Sequence, residues 1–462
     1  MPFPRLLAFS IGSIPAYLLV SMLATYLPPF YATKMGVTLT VIGLTIGAIR
    51  LTDLGVDLAL GFLMDLTRTP IGRYRPWYLA GLPVLWVAVY KVFNPPADVN
   101  TTYLFSWYIL LYVAYSLLVL GHSAWAASNA RTYDERSRMF GWMLGIGVMG
   151  SSLLQGLPLL TGGKIRTADP ASIPTIGWII MAVATVAVLI TAIAAPERAA
   201  PVAKKESVSL KDYTAVFTNP SMVRLVLADL FLVLGPGASA PIYVFFFHAV
   251  KHFDLGLVSI LLIPYGGAGL FGAPLWAAVA RKLGKHRTVQ IAGVAYAVTQ
   301  TILMAIPAGL FWPTFVSMFS VGFCGSAFIV LIRAMVADVA DQLRLETGQE
   351  RAGVLYALVT LTQKLGSTLA VTIIYPVLDF FGYKAALGVH NTPRAIWGLE
   401  MCYLFAPIIL VMVGSACMIG YKLDSKRQSE IRDALEELES RDYASSLEVL
   451  GGPGETVTAK AS

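Results

Sequence analysis

The sequence predicts an all-α integral membrane protein: twelve transmembrane helices in two pseudo-symmetric bundles of six, with both chain ends in the cytoplasm. Three observations predict it. The 462 residues are 56% hydrophobic and only 13% charged, with a mean hydropathy of +0.69, which a soluble domain rarely reaches. Twelve long apolar runs each come near the roughly 20 residues that one bilayer crossing needs. The longest polar break, roughly 197–220, divides those runs six and six. Continuous apolar runs also favour helices over a barrel, whose strands alternate over about ten residues.

The first run, 6–30, carries Tyr17 and no acid. It is too long for a signal-peptide core and lacks a small-residue cleavage site, so it reads as an uncleaved first helix. The second, 37–65, carries Arg50, Thr52, Asp53 and Asp57. The third is 77–95. The fourth, 102–128, carries Tyr115, His122 and Trp125, and the fifth and sixth are 139–161 and 174–196. After the break come 222–250 and 255–281, with Tyr243 beside Pro241 and Tyr265 beside Pro264, a pattern that predicts broken helices lining a cavity. The runs 287–308, 311–341, 351–380 and 395–421 complete the set, Lys364 lying near the centre of the eleventh. The expected organisation is a first bundle over 1–196, a cytoplasmic linker over 197–220, a second bundle over 221–421 and a cytoplasmic tail over 422–462. In that tail Ile431, Leu435 and Leu438 recur at helical spacing, predicting a short amphipathic helix, and residues from about 450 read as disordered.

Charge sets the orientation. Arg68, Arg73, Arg75, Arg131, Arg136, Arg138, Lys204, Lys205, Arg281, Lys282, Lys285 and Arg287 collect on one side of the predicted topology, against Lys34, Lys91, Lys164, Arg166, Lys251, Lys384 and Arg394 on the other. The positive side is cytoplasmic. The net charge of +7 is therefore topological and gives no reason to expect a nucleic-acid partner. Cys324, Cys402 and Cys417 lie in apolar runs without C-x-x-C spacing and read as small buried hydrophobes. Gly266-Gly-Ala-Gly269 sits inside an apolar run, where close helix packing is its use. No phosphate-binding loop, metal-ligand cluster or nucleophile–base set appears, so neither an enzyme nor a cofactor is expected.

Two loops repeat. Gly61-x-x-x-Asp65-x-x-Arg68-x-x-x-Gly72-Arg73-Tyr-Arg75 follows the second run, and Arg281-Lys-Leu-Gly284-Lys285-His-Arg287 follows the eighth. Asp134-Glu135-Arg136 stands between runs four and five; Asp338, Asp341, Glu346 and Arg351 stand between ten and eleven. Gly284 lies 212 residues after Gly72, and Arg351 lies 215 after Arg136. The near-equal offsets predict a duplicated frame with a binding site between its halves. Gly61, Asp65, Arg68, Arg73, Arg75, Arg136, Asp338, Asp341 and Arg351 are the expected cytoplasmic gate, whose pairings would shift the conformational balance.

Asp53 and Asp57 lie one helical turn apart and share a face. A carboxylate at the bilayer centre costs roughly 2.5–3.5 kcal/mol on insertion scales, so two of them point to an ion or proton pathway. With Thr52 and other oxygens they can hold Na⁺; alternatively, two close acids raise each other's pKa and one carries a proton. Arg50 and Lys364 are the expected charge partners. Tyr17, Tyr115, His122 and Trp125, with Tyr243 and Tyr265, are candidate substrate contacts, since an aromatic face stacks on a sugar or nucleobase. Asp229 and Arg333 are expected to form an ion pair or to join the Asp338/Asp341 cluster.

These motifs resemble the major facilitator superfamily. More narrowly, Asp53-x-x-x-Asp57, Asp65-x-Thr67-Arg68 and Gly72-Arg-Tyr-Arg-Pro-Trp77 resemble the glycoside–pentoside–hexuronide:cation symporters of the melibiose-permease type. Ala337-Asp338-Val-Ala-Asp341, Thr347-Gly348, Arg351-Ala-Gly353, Gln363-Lys364-Leu-Gly366 and Phe381-Gly-Tyr383 agree, so the resemblance covers roughly residues 5–420. It implies that Asp53 and Asp57 bind the coupling cation, that Lys364 lies near the same site and that Trp125 stacks on sugar. The chain departs from the pattern at Leu58, where members usually have Pro. It departs again in the first run and at Leu120-Gly121-His122-Ser123, where members carry sugar-gripping acids, and over 139–145, where an Arg is common. The cation motif is kept while the sugar-holding acids are missing.

The expected function is secondary active transport in the cell (inner) membrane, by alternating access. A sugar, glycoside or uronide would move in symport with Na⁺ or H⁺. The expected partners are this small-molecule substrate and membrane lipid, with a monomeric chain. Symport of an amphiphile such as a lysolipid is the alternative, and a non-transporting membrane sensor is the rival from another class.

Overall fold

A computed structural model describes residues 3–36, 38–130, 133–194, 197, 219–347, 352–385, 390–421 and 423–450. Among them, eleven helices are long and apolar enough to cross a membrane. In chain order the elements are α1 (Phe3–Met35), α2 (Leu39–Leu66), α3 (Arg75–Phe93), α4 (Thr101–Asn129), α5 (Tyr133–Gln155), α6 (Ile173–Ala194), α7 (Pro220–Ser239), α8 (Leu255–Leu283), α9 (Lys285–Ala305), α10 (Phe311–Thr347), α11 (Ala352–Phe380), α12 (Pro393–Ala416) and α13 (Ser425–Leu450). Helix α5 covers the expected fifth crossing but is not among the eleven. Its Gly141, Gly145, Gly147, Gly150, Ser151 and Ser152 dilute its hydropathy. Those small residues serve packing instead: a Cβ at Gly147 would strike the ring of Tyr17, and one at Gly150 the side chain of Ile14, both on α1.

Helix breaks fall beside prolines, and the one at Pro241 is where the sequence predicts it. Helix α1 bends at Gly12–Ser13, ahead of Pro15, and passes through a π-turn over Met22–Tyr26, just before Pro28 and Pro29. The run 222–250 is not one helix. It ends at Ser239, turns at Pro241 and resumes as Tyr243–Phe245 and a π-turn over Phe246–Val250. Lys251 anchors that segment by donating to Met304 O at 2.8 Å and Ile306 O at 2.5 Å, at the end of α9. Burial lowers the pKa of this lysine, with Glu400 opposing the shift.

The tail helix is longer than the short one expected. Ile431 and Leu435 are buried, whereas Leu438 is 43% exposed, so the apolar stripe covers two of its three predicted positions. The expected disordered end beyond 450, and the linker apart from residues 197, 219 and 220, lie outside the described residues.

Helix α3 packs along α4, α8 along α10, and α7 along α12. Between the first and last six long helices, α2 runs beside α11 and α5 touches α8. Helices α10 and α8 approach closely at a glycine. A Cβ on Gly322 would lie 2.9 Å from Tyr265 Cα and nearer still to its carbonyl oxygen. Backbone cannot move aside as a side-chain tip can, so Gly322→Ala is expected to destabilise the protein by about 1–3 kcal/mol. An unchanged melting temperature of the purified variant would refute that contact.

The hydrogen bonds and ion pairs joining the halves among the described residues begin where α1 turns into α2. There Thr33 Oγ1 donates to Ala385 O at 2.9 Å, Thr40 Oγ1 donates to Asp379 Oδ2 at 2.6 Å, and Arg166 pairs with Asp254 at 2.6 Å. They continue along α2 to Asp57. One turn further, a Cβ on Gly61 would meet nothing within 4 Å. The halves are thus joined at that end and as far as mid-helix, and α2 beyond Asp57 borders open space.

Candidate functional site

The acids of α2 meet the lysine of α11. Asp53 is 6% exposed, and its Oδ2 accepts from Lys364 Nζ at 3.0 Å. Lys364 also forms an ion pair with Asp57. The second oxygen of Asp53 accepts from Ser116 Oγ of α4 at 3.2 Å. The second oxygen of Asp57 is buried with no hydrogen-bond partner. Two carboxylates therefore share one ammonium, leaving one negative charge uncompensated within the cluster and one oxygen open. A buried carboxylate oxygen without a donor is costly, and the ligand set of carboxylates and a hydroxyl is all oxygen. That chemistry suits a hard monovalent cation or a proton, not a metal that prefers nitrogen and sulfur.

The other predicted members divide. Thr52 is exposed and donates to Ala48 O of its own helix at 2.9 Å, so Ser116 supplies the hydroxyl expected from Thr52. Arg50 does not pair with either acid. Its Nε donates to Tyr112 Oη at 2.9 Å and its Nη1 to Ser367 O at 2.6 Å, tying α2 to α4 and α11. The sequence reading missed Tyr112, Ser116 and Ser367. A signal existed for two of them: Tyr112 and Ser116 stand at i and i+4 on the fourth run and face Arg50 and Asp53, at i and i+3 on the second.

Trp125 is fully buried and His122 3% exposed. The His122 ring lies 4.5 Å from Phe9 and stacks on Tyr78 at 5.1 Å, and Trp125 meets Phe9 edge-on at 5.1 Å. His122 Nε2 also lies 3.1 Å from Phe9 O. Both side chains are interior packing between α1, α3 and α4, with no free face for a ligand in this conformation. Tyr17 and Tyr115 are half-buried and lie within electrostatic range of each other. Tyr115 is also in range of Asp53, and Tyr17 of Arg333 on α10. Tyr243, whose Oη donates to Val258 O at 2.7 Å, lines with Tyr265 a cavity of about 80 Å³ that Thr25 of α1 also borders. A larger cavity of about 740 Å³, lined by Tyr26, His248, Asp254 and Tyr383 among others, lies at the joined end and includes none of the predicted site residues.

Among the described residues, the bonds seen for the predicted gate residues run within their own halves. Gly72 adopts φ +124°, a conformation that favours glycine. The following amides of Tyr74 and Arg75, at the start of α3, each donate to Glu197 Oε2 at 2.9 Å, an anion placed where a helix N-terminus favours one. Arg75 Nη2 donates to Ala192 O at 2.6 Å, Arg73 Nε donates to Met64 O at 3.2 Å, and Arg68 is exposed. In the second half Lys285 pairs with Asp338 at 2.6 Å, and Gln428 of α13 donates to the same carboxylate. Asp341 is half-buried one turn further along α10. The side chains of Asp65 and Arg136, and the whole of Arg351, lie outside the described residues. The expected Asp229–Arg333 ion pair is not formed: Asp229, 1% exposed, accepts from Thr362 Oγ1 at 2.5 Å.

Comparison with known proteins gives a consistent result. A family model described as MFS/sugar transport protein matches residues 8–425. The chain is 25% identical over 453 residues to the isoprimeverose transporter of Lactiplantibacillus pentosus, covering 94% of this chain and 91% of that one. It is 23% identical to sodium-dependent lysophosphatidylcholine symporter 1 of Mus musculus, covering 86% and 81%. A crystal structure of a nucleoside transporter superposes with a TM-score of 0.67 at 15% identity, covering 90% of this chain and all of the other, a likeness of fold.

Proposed function

Because this chain belongs to the MFS/sugar transport protein family and is a multi-pass membrane transporter, we propose that it is a cation-coupled symporter of a sugar, glycoside or uronide. It resides in the cell (inner) membrane as a monomer, carries no cofactor and works by alternating access between two six-helix bundles, α5 being the twelfth crossing. The observation that carries the reading is the cluster of Asp53, Asp57 and Lys364, with one carboxylate oxygen left open.

The cluster supports the following cycle. With no cation bound, the Lys364 ammonium stands between the acids and holds α11 against α2. A coupling cation, Na⁺ or H⁺, competes for the same oxygens and frees the lysine. Loss of that bridge changes how the halves fit together, which is the differential interaction any ligand-driven shift requires. The substrate binds beside it, between the halves, where Tyr17 and Tyr115 offer aromatic faces. The gate residues Asp65, Arg136, Asp338, Asp341 and Arg351 re-pair across the cytoplasmic surface when the transporter opens outward.

A second reading, symport of a lysolipid, draws on the similarity to the lysophosphatidylcholine symporter. One experiment separates the two. Purified full-length protein is heated with isoprimeverose, glucose, glucuronate or lysophosphatidylcholine, with and without Na⁺ and at several pH values. A sugar that raises the melting temperature more when Na⁺ is present, or at low pH, supports the proposal. A shift from lysophosphatidylcholine alone favours the second reading, and sugar binding indifferent to both cations removes the coupling. A sensor would bind without accumulating the sugar in proteoliposomes.

A further inference from the structure

Asp229 lies near the middle of α7, inside the apolar span Pro220–Ser239, and is 1% exposed. Among the described residues no lysine, arginine or histidine forms an ion pair with it. Helix α7 packs against α10, α11 and α12, and the charges of each are engaged or distant. On α11, Lys364 is held by Asp53 and Asp57, and Asp379 accepts from Thr40. On α10, Arg333 is in electrostatic range of Asp229 without pairing with it, Asp338 is paired with Lys285, and Asp341, Arg344 and Glu346 lie further along. Helix α12 passes at Gly414, where a Cβ would lie 3.1 Å from Ala228 O, and carries Arg394 and Glu400 toward its other end. On α7 itself Arg224 donates to Ile419 O. A carboxylate enclosed without a cation is so unfavourable that the group takes up a proton instead.

The hydrogen bonds agree. Thr362 Oγ1 of α11 lies 2.5 Å from Asp229 Oδ2 and 2.8 Å from Val359 O. A hydroxyl carries one hydrogen. If Thr362 donates to an ionised Asp229, its contact with Val359 O has no hydrogen. If it donates to Val359 O, the hydrogen between Thr362 and Asp229 must come from the acid. Both contacts are hydrogen bonds only when Asp229 is protonated. Gln363, next along α11, is also in range of Asp229, yet its Nε2 is buried with no hydrogen-bond partner. An ionised carboxylate would draw in such an idle donor.

We infer that Asp229 is a proton-binding site separate from the Asp53, Asp57 and Lys364 cluster. In this conformation it holds its proton as a neutral acid donating to Thr362 Oγ1, which donates onward to Val359 O. The inference goes beyond the proposed transport reading and stands without it. So enclosed an acid exchanges its proton only when α7 and α11 part. The O–H bond of Asp229 then breaks, the proton passes to water, and the Thr362 hydroxyl turns to donate to the carboxylate left behind. Thr362 stands two residues before Lys364, so the proton on Asp229 and the bridge from Lys364 to α2 act on the same helix.

Infrared spectroscopy of the purified full-length protein tests this. At about pH 7, roughly three units above the ordinary pKa of aspartic acid, wild-type protein is expected to show the carbonyl stretch of a protonated carboxylic acid. Asp229→Asn, whose amide copies the shape and neutrality of the acid, is expected to lose that band. Asp57→Asn is expected to keep it, and Thr362→Val to shift it. A wild-type spectrum without the band overturns the inference, a result that needs no variant to fold. A band that survives Asp229→Asn overturns it too, as does one that Asp57→Asn removes instead, which would put the proton on α2. A band unmoved by Thr362→Val overturns the hydrogen bond that defines the site. A band that needs Asp229, in a protein whose uptake ignores Na⁺ and pH, leaves the proton site standing and sinks the coupling at Asp57.

Discussion

Asp57→Asn is expected to abolish cation-stimulated uptake in proteoliposomes while leaving the protein folded and inserted. The substitution keeps the shape of the side chain and removes its charge. The cluster changes from two acids against one lysine to one against one, so the negative charge that would attract a cation disappears. The oxygen of Asp57 that now lacks a partner becomes one end of a neutral amide, a poor ligand for Na⁺ and no carrier for a proton. Breaking a fully buried ion pair costs about 3–5 kcal/mol, but Lys364 keeps Asp53 and its own side chain is 30% exposed, so the stability loss should fall below that range. Uptake is read against Na⁺ concentration and pH at fixed substrate, and normal cation dependence in Asp57→Asn would end the coupling proposal. Lys364→Ala is the complement. The acids then face each other without a counter-ion, so the cation binds more tightly and leaves less readily, and uptake falls. Cation-stimulated uptake unchanged by Lys364→Ala would disconnect the lysine from the cycle.

Gly43→Leu is expected to drive the protein out of the conformation described here. A Cβ at Gly43 would stand 2.9 Å from Tyr375 Cβ and 3.0 Å from Val371 O, on α11. A leucine cannot fit without parting α2 from α11, and overpacking of this kind costs about 1–3 kcal/mol. The cost falls only on the state in which these helices touch, so the balance moves toward the opposite opening by about five- to 150-fold. A cysteine introduced at Thr33, in the seam with Ala385, reports the change by faster maleimide labelling, in a background lacking Cys324, Cys402 and Cys417. Labelling as slow as in the protein with Gly43 intact would show that the seam does not open by separation of these helices.

The two predictions differ in how far the sequence foresaw them. Asp53 and Asp57 stand out because charge in an apolar run is rare and a four-residue spacing fixes a shared face. Lys364 stands out for the same reason. Their meeting does not: 307 positions separate Asp57 from Lys364 along the chain, and no local rule pairs them. Arg50 shows the limit of reading by proximity in sequence. Three residues from Asp53, it instead reaches a backbone carbonyl on another helix, because the rotation of α2 aims it at α11 and α4. Trp125 and His122 show the same limit for aromatics, since spacing along a helix does not reveal whether a ring faces a cavity or Phe9 and Tyr78. The partner of Asp229 was equally illegible: the sequence suggests Arg333, and only packing shows that Thr362 hydrogen-bonds to that carboxyl group.

By itself the sequence determined what depends on composition and local spacing. The number and length of the apolar runs make this an all-helical membrane protein, because lipid leaves the backbone no other way to satisfy its polar groups except a closed barrel. Pro241 located one helix break, and two acids one turn apart located the charged cluster. The tertiary structure decided everything that depends on which faces of distant helices meet. It paired Lys364 with both acids, substituted Ser116 for Thr52 and turned Trp125 and His122 into packing. The physical reason is that an unpaired charge or polar group in a membrane protein is costly enough to announce itself in one dimension, whereas the partner that relieves it is fixed only by the rotation and crossing of helices in three.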